Sequence, residues 1–199
     1  MSKVEDVLDF WFGDVRADEP VPQESFRLWF GGEEETDRLI RKRFNRDVAR
    51  AARGDFDYWR QSARGTLALI ILLDQFPRNI YRDTSQAYAF DGPGLEVCLG
   101  GLDLQQHFSL GVVERAFFYL PLEHSEDRGL QARSVRLFKE LFESAPAGMR
   151  KMCEGFLDYA LRHQEIIERF GRFPHRNAAL GRLSTAEEEA FLKEPGSSF

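Results

Sequence analysis

Ala63-Arg-Gly-Thr-Leu-Ala-Leu-Ile-Ile-Leu-Leu-Asp74 contains seven consecutive apolar residues, Leu67 to Leu73, and its reading decides the fold. Such a run suits either a buried strand or a helix enclosed on most sides. Leu and Ala outnumber the β-branched residues in it, and no second strand candidate exists for it to pair with. The stretch therefore predicts a central helix from Ala63 to Asp74.

Outward from this helix, apolar residues recur at helical spacing. From Glu33 to Arg53 the stripe is Ile40, Phe44, Val48 and Ala51, with an Arg-rich outer face and Gly54 as the stop. Gln131 to Phe142 repeats the pattern through Val135, Phe138, Leu141 and Phe142. The longest helix is expected from Met149 to Phe170, closed by Gly171, with His163 on its apolar stripe between Ala160 and Ile167. Ser184-Thr-Ala-Glu187 reads as a capping box ahead of Ala190, Phe191 and Leu192. Two aromatic knots, Phe10-Trp-Phe-Gly13 and Leu28-Trp-Phe-Gly31, are expected to plug one end of a bundle, with Asp18 to Pro22 as the loop between them. Nothing alternates with strand period. The expectation is an all-α fold of at least seven helices, residues 1–199 forming a single domain with one core, and 195–199 a frayed tail.

Composition narrows the function classes. The chain has 199 residues, 43% of them hydrophobic, enough for a substantial core. Its net charge of −6 argues against sequence-independent binding of nucleic acid, which needs a basic face. The start, Met1 to Asp6, is acidic and lacks the apolar run of a signal peptide, and Leu67 to Leu73 is too short to span a bilayer. A cytoplasmic protein without nucleic-acid or membrane partners is expected. The two cysteines, Cys98 and Cys153, match no zinc or redox spacing and read as buried free thiols. The four histidines are scattered, and no phosphate loop or nucleophile elbow occurs, so neither a metal nor a cofactor is expected.

Polar residues gather at the helix breaks. Gln75-Phe-Pro-Arg-Asn79 returns in expanded form as Arg169-Phe-Gly-Arg-Phe-Pro-His-Arg-Asn177. Proline restricts the residue before it, so each copy is expected to end one helix and turn toward another, and the two turns to lie close in space. Phe118-Tyr-Leu-Pro-Leu-Glu-His-Ser-Glu126 sets Glu123 beside His124 just after Pro121, where the helix kinks or restarts. A carboxylate next to an imidazole suits acid–base work, while a helix start capped by Ser125 and Glu126 explains the same residues structurally.

These blocks, the first extended to Leu73-Asp-Gln-Phe-Pro-Arg-Asn79, with Val7-Leu-Asp-Phe-Trp-Phe-Gly13, Leu180-Gly-Arg182 and Ser184-Thr185, resemble the bacterial domain-of-unknown-function family 924 over nearly the whole chain. The resemblance implies an all-helical fold similar to the tetratricopeptide-like superhelices, and it implies no activity. The Trp, Leu-Gly and Tyr spacing of a true tetratricopeptide repeat is missing.

Three readings follow. In the first, a pocket takes a small anionic metabolite, and turnover of it is left open. Arg78, Arg172 and Arg176 hold the anion, Asn79 and Asn177 orient it, His163 faces it, and Glu123 with His124 or His175 moves a proton. In the second, a helical scaffold binds a peptide or partner protein. In the third, the motifs only lock helix corners. Oligomeric state is not legible.

Overall fold

Leu67 to Leu73 lie at most 2% exposed, so the central apolar run is enclosed on every side. Each Leu or Ile buried there contributes about 1.5–3 kcal/mol relative to exposure. The run is helical. In the computed structural model, which describes residues 3–15 and 19–197, ten α-helices occur and no strand is found among the described residues. Met1, Ser2, Asp18 of the expected loop, and Ser198 and Phe199 of the tail lie outside them.

The helices are α1 (Val4–Phe12), α2 (Gln23–Phe30), α3 (Glu34–Ala52), α4 (Ala63–Ile70), α5 (Phe76–Ile80), α6 (Asp91–Asp103), α7 (Val112–Glu123), α8 (Arg128–Glu143), α9 (Arg150–Phe170) and α10 (Ala186–Phe191). Helix α4 packs on α1, α6 and α7, while α7, α8 and α9 pack each on the next. Gly101 permits a close approach of α6 to α4 and α7, because a Cβ there would meet Phe118 Cζ at 2.5 Å and Thr66 Cγ2 at 2.8 Å. The aromatic knots join one another. Trp29 Nε1 donates to the Trp11 carbonyl at 2.7 Å, and Phe12, Trp29 and Phe117 meet edge to face. One large core results, with a satellite of Ile166, Ile167 and Phe173 under the C-terminal turn. Cys98 and Cys153 are buried and free. No helix among the described residues is long and apolar enough to cross a membrane.

Three local expectations are corrected. Pro77 does not end its helix. A π-turn, Ile71–Gln75, joins α4 to α5, with the Phe76 N–H bonded to the Ile71 carbonyl. The extra residue of that turn accommodates the missing proline N–H and its ring, so the chain stays helical through Ile80. At the C-terminus the capping box is shifted by one residue: Thr185 Oγ1 accepts from Glu188 N at 3.2 Å, and Glu188 accepts from Thr185 N at 2.7 Å. The sequence permits either register, and Arg172 selects this one by holding Glu188 at 2.6 and 2.8 Å. The tail is tied down as far as Ser197, which is buried and donates to the Leu192 carbonyl at 3.2 Å.

Candidate functional site

The π-turn places Asp74 beneath the end of α7. A wider turn re-aims its side chains relative to an α-helix, and Asp74 is wholly buried at the end of the apolar run. Its carboxylate accepts from Gln75 Nε2 at 2.6 Å and meets His124 Nδ1 at 2.7 Å, with Arg78 Nη1 at 3.5 Å. Burial alone would raise its pKa, but the Arg78 charge and the His124 and Gln75 contacts outweigh burial and hold it below the usual carboxylate range.

Pro121 sits inside α7, which ends two residues later at Glu123, and His124 forms the cap. Neither a restart nor a capped helix start occurs there. Asp127 instead caps α8 through Leu130 N at 2.9 Å, and Gln131 Nε2 gathers the Glu123 and Ser125 carbonyls at 2.6 Å each. This holds the backbone on either side of His124. Because Asp74 is ionised and can only accept, Nδ1 carries the imidazole proton, and Nε2 makes no hydrogen bond among the described residues. Burial and then Arg78 push the His124 pKa down, against Asp74, so the ring is neutral at pH 7.

His124 opens into a concavity of about 300 Å³ that also touches Tyr88, Asp91, Leu95, Pro121, Glu126, Arg176 and Leu180. Arg176 comes from the second Phe-Pro turn. Gly171 takes the left-handed conformation, φ 69°, that ends α9, and the chain returns through a short turn, Pro174–Arg176. The guanidinium lies 4.8 Å from the Tyr88 ring centre and 4.4 Å from that of Phe173. Nη1 reaches Asp91 Oδ2 at 3.3 Å, while Nε is buried and lacks a partner among the described residues. Burial and the neighbouring Arg78 lower its pKa to about 10, so it remains a cation at neutral pH.

Behind His124 lies a second titratable pair. Glu123 Oε1 is 3.4 Å from His163 Nδ1, which also donates to the Tyr159 carbonyl at 2.8 Å. The His124 and His163 ring centres are 6.2 Å apart. Glu123 is buried, and its Oε2 finds no hydrogen-bond partner among the described residues. Burial, then Asp74, raises its pKa to about 8, leaving a neutral acid at pH 7. His163 is pushed down to about 3, by burial first and by His124 next.

The residues singled out from the sequence separate into two groups. Arg78, Glu123, His124, His163 and Arg176 gather around Asp74 and Asp91, and His175 packs its ring on Phe173 at 5.6 Å. Asn79 instead binds Asp37 at 2.9 Å, Asn177 binds Ser184 Oγ at 3.1 Å, and Arg172 is held by Glu188. These three make their contacts away from the concavity. Glu126, at its edge, accepts from Arg182 at 2.8 and 3.0 Å and from Phe173 N at 2.8 Å. Sequence reasoning gave Tyr88 and Asp91 no site role, and took in Asp74 only as the first residue of the Asp74–Asn79 stretch, with no role of its own. Asp74 had a usable signal, a carboxylate directly following seven apolar residues. Asp91 and Tyr88 had none.

A larger furrow of about 590 Å³ runs among Arg41, Lys42, Arg43, Arg46 and Arg50. All its walls are side chains of α3, and it contains no imidazole or wholly buried carboxyl. Among the described residues no three His, Cys, Asp or Glu side chains come together as metal ligands.

The family model of a bacterial protein of unknown function, DUF924, matches residues 7–196. The chain belongs to this family. The DUF924 chain is also similar to a solved structure, ATU0120 from Agrobacterium tumefaciens, a protein of unknown function. The two are 34% identical over 96% of each chain, with a TM-score of 0.79. A search of the curated proteins gives no match.

Proposed function

We propose that this protein binds a small anionic molecule in the concavity between α6, α7 and the C-terminal turn, and that His124 exchanges a proton with it. The observation that carries this reading is the Asp74–His124 contact at 2.7 Å, behind an imidazole that lines the same concavity as Arg176. Asp74 fixes the tautomer and stabilises the imidazolium formed when Nε2 accepts a proton. Arg176 supplies the positive charge opposite. Glu123 and His163 form the layer behind, and Arg78 holds Asp74 and Asp91 in place.

A thermal-shift screen with a metabolite library tests it, since a ligand that binds only the native state raises the melting temperature. An anion should stabilise the wild type, and Arg176→Gln should lose that shift. Any proton-transfer activity found should fall on acidification through the His124 pKa, below its ordinary 6.5, and vanish in His124→Ala. A silent screen on a folded wild type would sink the reading.

The exposed aromatic side chains of α2, Phe26 at 37% and Phe30 at 57%, support a second reading, a scaffold for a peptide or partner protein. The tetratricopeptide-like superhelix belongs to that reading, supported by the succession of α7, α8 and α9, each packed on the next. It expects peptide binding that Phe30→Glu abolishes and Arg176→Gln leaves intact.

A further inference from the structure

Arg78 and Arg176 both meet Asp91, yet their donors are spent differently. Arg78 grips Asp91 with two nitrogens, at 2.9 and 3.3 Å, and gives Nη1 to the Asp74 carbonyl at 2.7 Å as well. Arg176 makes a single contact with Asp91 at 3.3 Å, and its Nη2 makes none among the described residues. The free guanidinium edge at the concavity therefore belongs to Arg176.

The charge around that edge is already balanced. Arg78, Arg176 and Arg182 stand against Asp74, Asp91 and Glu126. A phosphate dianion would bring two further negative charges beside Asp91 and Glu126, with no additional cation to meet them. A single negative charge on a planar, two-oxygen group suits one open guanidinium edge better. Tyr88, Leu95, Pro121 and Leu180 supply apolar wall for the rest of the molecule.

We propose that the ligand is a monocarboxylate with an apolar body, its carboxylate on the Nη2 edge of Arg176 and its body against Tyr88, Leu95, Pro121 and Leu180. The proposal rests on the small-anion reading above. Arg176 is the specificity-determining residue, Asp91 disfavours a second negative charge, and Arg78 positions Asp91.

The test titrates phenylacetate and phenyl phosphate into the full chain by calorimetry, while nitrogen NMR follows the His124 imidazole. Phenylacetate should bind at least about tenfold tighter, the equivalent of about 1.4 kcal/mol. Arg176→Gln should lose that binding, and Arg176→Lys, which keeps the charge without the fork, should weaken it. In Asp91→Asn the gap between the two probes should narrow, and circular dichroism confirms that each variant is folded. Phenyl phosphate binding as tightly as phenylacetate, with the His124 signals moving, would overturn the carboxylate assignment and leave the anion site standing. Phenylacetate binding that is indifferent to both Arg176 variants would overturn it as well. If neither probe binds nor moves the His124 signals, the proposal and the small-anion reading fall together.

Discussion

The two Phe-Pro motifs carry nearly the same residues on different backbones. At Pro77 the helix runs on through a π-turn, whereas at Pro174 it has already ended on a left-handed glycine. Both arginines nevertheless reach Asp91 and lie over the Tyr88 ring, Arg78 at 5.8 Å and Arg176 at 4.8 Å. The asparagines part company, Asn79 to Asp37 and Asn177 to Ser184. A repeated motif thus need not mean repeated geometry. The first copy is braced by the buried Asp74 and the half-buried Asp91 and Asp37, and the second lines the concavity with donors to spare.

The largest effect expected separates the two arginines. Arg78→Ala removes the full positive charge facing the wholly buried Asp74, leaving its carboxylate only His124 and Gln75, and frees Asp91 from its two-nitrogen grip; it should cost about 3–5 kcal/mol of stability. Arg176→Ala leaves Asp91 paired with Arg78 and removes one long contact plus ring stacking, which should cost about 1–2 kcal/mol. Denaturant curves decide, and equal losses would make the arginines equivalent struts.

Glu123 sharpens the comparison from behind the site. Its pKa is about 8 in the folded protein against an ordinary 4.5, so the folded state holds its proton where the unfolded chain has released it. Wild-type stability should therefore decline as pH rises through that window. Glu123→Gln cannot ionise, and its advantage should grow with pH to on the order of 3 kcal/mol near neutrality. An advantage that does not vary with pH would mean that Glu123 is not held as a neutral acid. His163 acts on the other side: with its pKa pushed down to about 3 from 6.5, its contribution is lost as pH falls from 6.5 toward that value.

The smallest effect tests what holds the second turn. Thr185→Ala removes the cap of α10 and should cost about 1 kcal/mol in thermal or chemical unfolding. Glu187→Ala touches only an exposed pair with Arg169 and should stay within about 0.5 kcal/mol. The reverse order would restore the register in which Ser184 and Glu187 form the box.

Much of the fold was legible because helical signals are local. The stripe through Ile40, Phe44 and Val48 and the stop at Gly171 involve residues within a turn or two of one another. The C-terminal cap was misread by one residue because Arg172, 16 positions before Glu188, casts the deciding vote. The site was half legible: Glu123, His124, Arg78 and Arg176 drew attention as polar residues at helix breaks, while Asp91 carried no local signal.

By itself, the sequence determined an all-α chain whose polar residues gather where its helices break, since spacing, caps and proline act within a few residues. Only the tertiary structure decided what those residues do. His124 meets Asp74 across 50 positions, and Arg176 meets Asp91 across 85. Such pairs form because packing brings distant segments together around a buried carboxylate that must be satisfied. No local pattern encodes which partner that will be, or which arginine keeps a free edge.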